Sequence, residues 1–312
     1  MNNDISFSDK LAVKLGHISL KNPVIMSSGT FGNGIEYSEF YDISILGAVI
    51  TKSFSLKPML GNEPPRLCET TAGLLNSIGL QNEGIEYFIN EQIKLVKKLK
   101  INIILSILGA NLLEFSEIAA KVKKIEENLI AVELNLSCPN VKEGGITLGS
   151  IPESVEEITL AVKKILDIPV IVKLSPNNDN YIEVARSAKN GGASCISLIN
   201  TITGMAIDIK TFKPKLGSIV GGLSGPAIKP IAIAKVYSLY KANILPIIGM
   251  GGIFNWEDAI EFILAGANAI GIGTANFVNY NVGKDTIQGI YEFLIANNIK
   301  DINSLVGKVK IN

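Results

Sequence analysis

Pro246-Ile247-Ile248-Gly249-Met250-Gly251-Gly252-Ile253 and, further on, Ala269-Ile270-Gly271-Ile272-Gly273-Thr274-Ala275 read alike. Each is a short apolar run that ends on small residues, the mark of a buried strand closed by a tight turn. Working back along the chain, the same pattern recurs at 195–199, 170–174, 131–136, 101–106, 48–51 and 24–27. With 246–249 and 269–272, that predicts eight strands. They are apolar at nearly every position, as parallel strands covered on both faces are. Between them run helical stripes: Ile89, Ile93, Val96 and Leu99; Phe115, Ile118, Val122 and Ile125; Val155, Ile158, Val162 and Ile165. Alternating strands and amphipathic helices predict a TIM (β/α)8 barrel. An open doubly wound sheet competes, but it calls for a G-x-G-x-x-G turn after the first strand. Ser27-Ser28-Gly29-Thr30-Phe31-Gly32 does not match.

Around this frame, residues 11–20 read as an N-terminal hairpin capping the bottom of the barrel. Segments 53–81 and 203–225 are rich in Pro, Gly and Asn and each follows a strand. In a barrel, long insertions after strands build the active-site face. No linker or repeat breaks the chain, so residues 1–312 are expected to form one domain. Lys plus Arg balance Asp plus Glu at 29 each, which offers no field for nucleic acid or an anionic membrane surface. The apolar run 101–113 is interrupted by Ser106 and Gly109 and is too short to span a bilayer. Three cysteines without a C-x-x-C pair fit a reducing cytoplasm.

Chemistry is expected at the C-terminal strand ends, which are Ser28, Lys52, Ser106, Asn135, Lys173, Asn200, Gly251 and Gly273. Gly251, Gly252, Gly273 and Thr274 sit where many barrels bind phosphate through bare backbone N–H groups. After the fourth strand comes Asn135-Leu136-Ser137-Cys138-Pro139-Asn140, with Cys138 held over the barrel mouth by Pro139. Val141-Lys142-Glu143-Gly144-Gly145 follows as a glycine-bearing loop suited to a lid. A thiol, with an ordinary pKa of about 8.5, can exchange a proton in either direction near neutrality. The sole histidine, His17, lies in the N-terminal hairpin, so neither a Cys–His hydrolase nor a zinc site is expected. Asn76, Asn135, Asn140 and Asn200 offer amide donors and acceptors suited to the edge of a pyrimidine-like ring. Glu133 and Lys173 point inward from neighbouring strands and are expected to pair. Cys68 and Cys195 are expected to be buried as small hydrophobes.

With these residues in hand, the chain resembles the class 1B dihydroorotate dehydrogenases, nearly end to end. Leu75-Asn76-Ser77-Ile78-Gly79-Leu80-Gln81-Asn82 resembles the family's substrate loop, and 135–145 its catalytic loop. Val172-Lys173-Leu174-Ser175-Pro176, Ile199-Asn200-Thr201, Gly221-Gly222-Leu223-Ser224-Gly225-Pro226 and Gly249-Met250-Gly251-Gly252 match in order. The resemblance implies FMN as cofactor. Gly251, Gly252, Gly273 and Thr274 would take its phosphate, and Ser28, Lys52, Ser53, Asn135, Lys173, Ile199 and Gly225 the rest. It also implies that Lys52, Asn76, Ser77, Ile78, Gly79, Leu80, Asn135, Asn200 and Thr201 hold dihydroorotate. Cys138 would remove the proton from ring carbon five as hydride leaves carbon six for flavin N5. Ser106 departs from the pattern, since many relatives carry Asn there. Class 2 relatives use Ser as the base and carry a membrane-binding extension; Cys138 argues against that class.

Class 1B relatives pass electrons to NAD+ through a second subunit with FAD and a 2Fe-2S cluster. This chain has no cysteine set for the cluster. A homodimer of this chain within a heterotetramer is the implied assembly. A fumarate-using class 1A homodimer is the nearest rival, and the 141–145 loop and Gln81-Asn82 favour 1B. A flavoenzyme reducing uracil-like rings, and a phosphate-binding isomerase or lyase without flavin, are the other readings.

Overall fold

The structure is a computed structural model that describes residues 9–136, 142–143 and 146–310. Eight parallel strands close into a barrel: β1 (Val24–Met26), β2 (Ala48–Ile50), β3 (Ile103–Ile107), β4 (Ala131–Asn135), β5 (Val170–Lys173), β6 (Cys195–Leu198), β7 (Ile247–Met250) and β8 (Ala269–Ile272). Closure comes from β8 pairing with β1, Ile270 opposite Val24. Every residue of these strands is buried, because side chains on one face fill the interior and those on the other meet the helices. Each Ile, Val or Leu so buried contributes roughly 1.5–3 kcal/mol relative to an exposed position.

The helical stripes pack against the outside of the strands. Phe115 and Ile118 of the helix Leu112–Val122, and Val155 and Val162 of the helix Pro152–Ile165, are fully buried. Ile93 and Val96 are buried on the passage between β2 and β3, with Ile89 and Leu99 half-buried against the same core. Asn111 and Asn255 cap their helices, accepting from the N–H of Glu114 and Asp258. Pro152 opens its helix at the first turn, where a missing N–H costs nothing.

The N-terminal hairpin forms as expected, Val13–Leu15 antiparallel to Ile18–Leu20. Its turn at Gly16 lies against Ser194, the residue preceding β6, so the hairpin covers the bottom of the barrel. His17 is exposed there, at the opposite end from the strand C-termini. Beside the hairpin the two ends of the described chain clasp each other. Ile302 N donates to Lys10 O at 2.8 Å, Asn303 Nδ2 to Ala12 O at 2.8 Å, and Lys10 Nζ to Ile299 O at 3.1 Å.

The two long insertions do more than form loops: they pair with each other. Leu67–Thr70, Gly73–Asn76, Gly221–Ser224 and Ile202–Gly204 make one antiparallel sheet over the barrel mouth. Gly222 stands opposite Asn76 and Ser224 opposite Leu74. Cys68 lies on the edge strand of this sheet and is half-exposed, not buried as expected. Cys195, in β6, is fully buried, and desolvation pushes its thiol pKa up, which leaves it inert near neutral pH.

Candidate functional site

Between the barrel mouth and the sheet above it lies a cavity of about 670 Å³. That is the size range of small-molecule sites, roughly 300–1,000 Å³. Its floor is the C-terminal ends of the strands. Ser28 follows β1, Lys52 and Ser53 follow β2, Asn135 ends β4, Lys173 ends β5, and Ile199, Asn200 and Thr201 follow β6. Gly251, Gly252, Gly273 and Thr274 close the wall beyond β7 and β8. The roof is Asn76, Ser77, Ile78, Gly79 and Leu80, at and after the end of the strand Gly73–Asn76. Residues expected at one site from eight separate stretches of sequence are thus neighbours. Gly225 does not line the cavity; its carbonyl backs the turn at Gly252. Cys138, with Ser137, Pro139, Asn140, Val141, Gly144 and Gly145 of the expected lid, lies outside the described residues. Of that loop, Lys142–Glu143 pairs with Ile146–Thr147.

The wall beyond β7 is shaped for close approach. Gly251 and Gly252 have φ of +124° and +84°, and a Cβ on Gly252 would lie 2.8 Å from Gly225 O. A side chain there is excluded on both counts, so bare backbone faces the cavity. The turn is braced from outside. Asp258 Oδ2 accepts from Phe254 N at 2.8 Å, while its Oδ1 pairs with Lys229 Nζ at 2.6 Å. Lys229 also pairs with Glu261 at 2.7 Å, and these partners, Asp258 first, raise its pKa. On the β8 side, Thr274 Oγ1 donates to Ser224 Oγ at 2.7 Å and clips the mouth sheet to the barrel. Ser224 was missed in the sequence reading, although it stands inside the motif 221–226.

Two lysines and one glutamate, Lys52, Lys173 and Glu36, are the charged residues lining the cavity among those described. The balance favours an anionic ligand. Lys173 Nζ donates to Ser28 Oγ at 3.2 Å, and Lys52 meets Glu83 at 3.5 Å. The Lys173–Glu133 pair expected from sequence is not formed. Glu133 is fully buried in the interior of β4 and accepts instead from Ser197 Oγ at 2.8 Å and Ser106 Oγ at 3.2 Å. Lys173, two residues nearer the mouth in strand register, reaches upward to the cavity rather than down to the carboxylate. The amides are held as well: Asn76 Nδ2 donates to Gly222 O at 3.1 Å and Asn135 Nδ2 to Ser53 Oγ at 2.9 Å. Ser77 Oγ is met at 2.6 Å by both Asn62 and Ser218. Among the described residues no helix is long and apolar enough to cross a membrane.

A family profile described as dihydroorotate dehydrogenase matches residues 10–294. A protein of Desulforamulus reducens, "Dihydroorotate dehydrogenase B (NAD(+)), catalytic subunit", is 50% identical over 297 residues, 95% of this chain and 97% of its own length. Proteins of the same name from Alkaliphilus oremlandii and Caldicellulosiruptor bescii are 49% and 50% identical, over 96% of this chain and 98% and 99% of theirs.

Proposed function

The chain belongs to the dihydroorotate dehydrogenase family, and from that premise we propose that it is the catalytic subunit of an NAD+-linked dihydroorotate dehydrogenase. It oxidises (S)-dihydroorotate to orotate in pyrimidine biosynthesis. The observation that carries this reading is near-full-length similarity, at about half of all positions, to relatives that share that one name. The cavity supports it, since it takes its lining from the same stretches that resemble the family's loops.

FMN is the cofactor of this reading. What supports it is the glycine wall, which leaves backbone N–H groups bare where a phosphate would sit, with Thr274 adding a hydroxyl. Gly251, Gly252, Gly273 and Thr274 would hold the phosphate, and Ser28, Lys52, Ser53, Asn135, Lys173 and Ile199 would contact the rest, with Gly225 behind the turn. Bound there, FMN supplies a hydride acceptor. The chain's own residues do the remainder. Lys52 attracts the substrate carboxylate; Asn76, Asn135 and Asn200 present amides to the ring's N–H and C=O edge, beside the 77–80 turn and Thr201. Cys138, three residues past the end of β4, takes the proton from ring carbon five. The name of the relatives, a catalytic subunit, supports a partner. We infer that the partner carries FAD and a 2Fe-2S cluster, in a cytoplasmic heterotetramer built on a homodimer of this chain.

The test is anaerobic mixing of the FMN-loaded chain with dihydroorotate while flavin absorbance is followed. Bleaching is expected, and a flavin that stays oxidised would sink the reading. In Cys138→Ala, orotate still binds and reduction slows by about 10²–10⁴, the usual worth of a positioned base. Unchanged reduction kinetics would remove Cys138 from the role.

A further inference from the structure

A carboxylate sits in the middle of this barrel with no cation beside it among the described residues. Glu133 is fully buried, and none of the ion pairs among the described residues includes it. Its hydrogen bonds come from two fully buried serines, Ser106 of the adjacent strand β3 and Ser197 of β6, which lies beyond β5 on the other side. Burying a carboxylate with hydroxyl partners alone is a costly arrangement that an apolar residue would avoid. The two serines differ in where they lead. Ser106 Oγ lies 2.8 Å from Ser53 Oγ, and Ser53 Oγ accepts from Asn135 Nδ2 at 2.9 Å. Ser53 and Asn135 line the cavity; Glu133, Ser106 and Ser197 do not. Among the described residues, Ser197 has no such onward link to the cavity.

Donor counting then gives the direction of this chain. With Glu133 ionised its carboxylate only accepts, so the one proton of Ser106 is committed to Glu133. Ser106 Oγ must then accept from Ser53, whose own proton is thereby spent. Ser53 is left with lone pairs only, which is why the group facing it is the amide N–H side of Asn135. The carboxamide is held in one orientation, its carbonyl turned away from Ser53. Hydroxyl and amide links polarised in series in this way strengthen one another in a low-dielectric interior.

We propose that Glu133 is a positioning residue for the reaction, acting through Ser106 and Ser53 to set the donor–acceptor polarity of the cavity floor. Through this wire Ser53 meets the bound rings as an acceptor, and Asn135 keeps one amide face toward them. Ser106 is the link. The proposal rests on the functional reading above.

The built-in control is the other serine. Ser106→Ala and Ser197→Ala each remove one hydroxyl from the same buried carboxylate, but only the first cuts the path to the cavity. Each variant is purified with FMN and titrated with orotate, read as the perturbation of flavin absorbance, with melting temperature measured alongside. Both variants are expected to melt lower than wild type. Ser106→Ala weakens orotate binding about tenfold, the scale of a broken polar link near a ligand, while Ser197→Ala stays within about twofold. Glu133→Gln, whose amide must donate to one serine, weakens binding like Ser106→Ala. Combining the two adds nothing further, as for residues acting in series. Equal losses in the two serine variants, no loss in Ser106→Ala, or additive losses in the double variant would overturn the proposal. Should Glu133→Gln fail to fold, the serine pair alone decides. A wild type whose flavin orotate leaves unmoved would overturn the functional reading instead, and the proposal with it.

Discussion

Neighbouring barrel strands β3 and β4 bring together Ser106 and Glu133, 27 residues apart, whereas the sheet over the mouth brings together Asn76 and Gly222, 146 apart. The barrel strands are buried throughout. In the mouth sheet, Leu67–Thr70 alternates between exposed and half-buried, and Gly221–Ser224 is half-buried along its length. One region is made of local βα steps that bury apolar surface on both faces; the other closes a long loop between glycine-rich strands that bury little. Such a division puts stability in the wall and recognition in the roof, since the elements that shape a ligand can then adjust without loosening the core.

Truncation in the wall is the hardest test of that division. Ile248 of β7 is fully buried, and Ile248→Ala is expected to cost about 2–5 kcal/mol. Denaturant unfolding would show it, with orotate affinity of the folded protein little changed; a large affinity loss at unchanged stability would break the contrast. The joint between the regions comes next. Gly225 has φ of +99°, and a Cβ there would lie 2.7 Å from Gly73 Cα. Gly225→Ala is expected to cost about 1–3 kcal/mol of stability, because its φ of +99° with ψ of −170° is a backbone region open essentially to glycine alone, and to weaken FMN and orotate binding because the sheet must shift. Calorimetry against ligand titration separates the two; intact binding would mean that the roof moves independently of the joint. The smallest effect belongs to the exposed edge. Leu67 is 52% exposed, and Leu67→Ser should stay within about 0.5 kcal/mol. A larger drop in melting temperature would show that the edge is covered by a partner in solution.

The wall was legible because its signal is local. Strands expected at 131–136 and 170–174 form at Ala131–Asn135 and Val170–Lys173, and the stripe Phe115, Ile118, Val122 packs as its spacing requires. Boundaries slipped by a residue or two, as at 101–106 against Ile103–Ile107, since Ile101 lacks a ladder partner. Convergence of the strand ends on one cavity was legible too, because barrel topology decides it once eight strands are assigned. The roof was not. Gly221-Gly222-Leu223-Ser224 has neither alternation nor β-branched residues, and its partner lies in another insertion; glycine-poor periodicity is the cue that sequence reading uses. The interior of β4 was read half correctly. Alternation turned Glu133 inward, but opposite charges on adjacent strands invited a pairing that Lys173, a layer higher, does not make. The serines that hold Glu133 carry no pattern of their own.

The clasp between Lys10 and Ile302 has a consequence for connectivity. Closing the barrel needs β8 beside β1, and nothing in that pairing depends on the peptide order of the two flanking segments. With those segments already in hydrogen-bond contact beneath the barrel, a short linker would join them, and the covalent opening could move to an exposed turn such as 297–298 or 209–212. A circular permutant made this way keeps all eight strands in register. The second opening would also cut the long loop that ties the roof, turning one chain into a direct measure of how much of the roof depends on its own backbone.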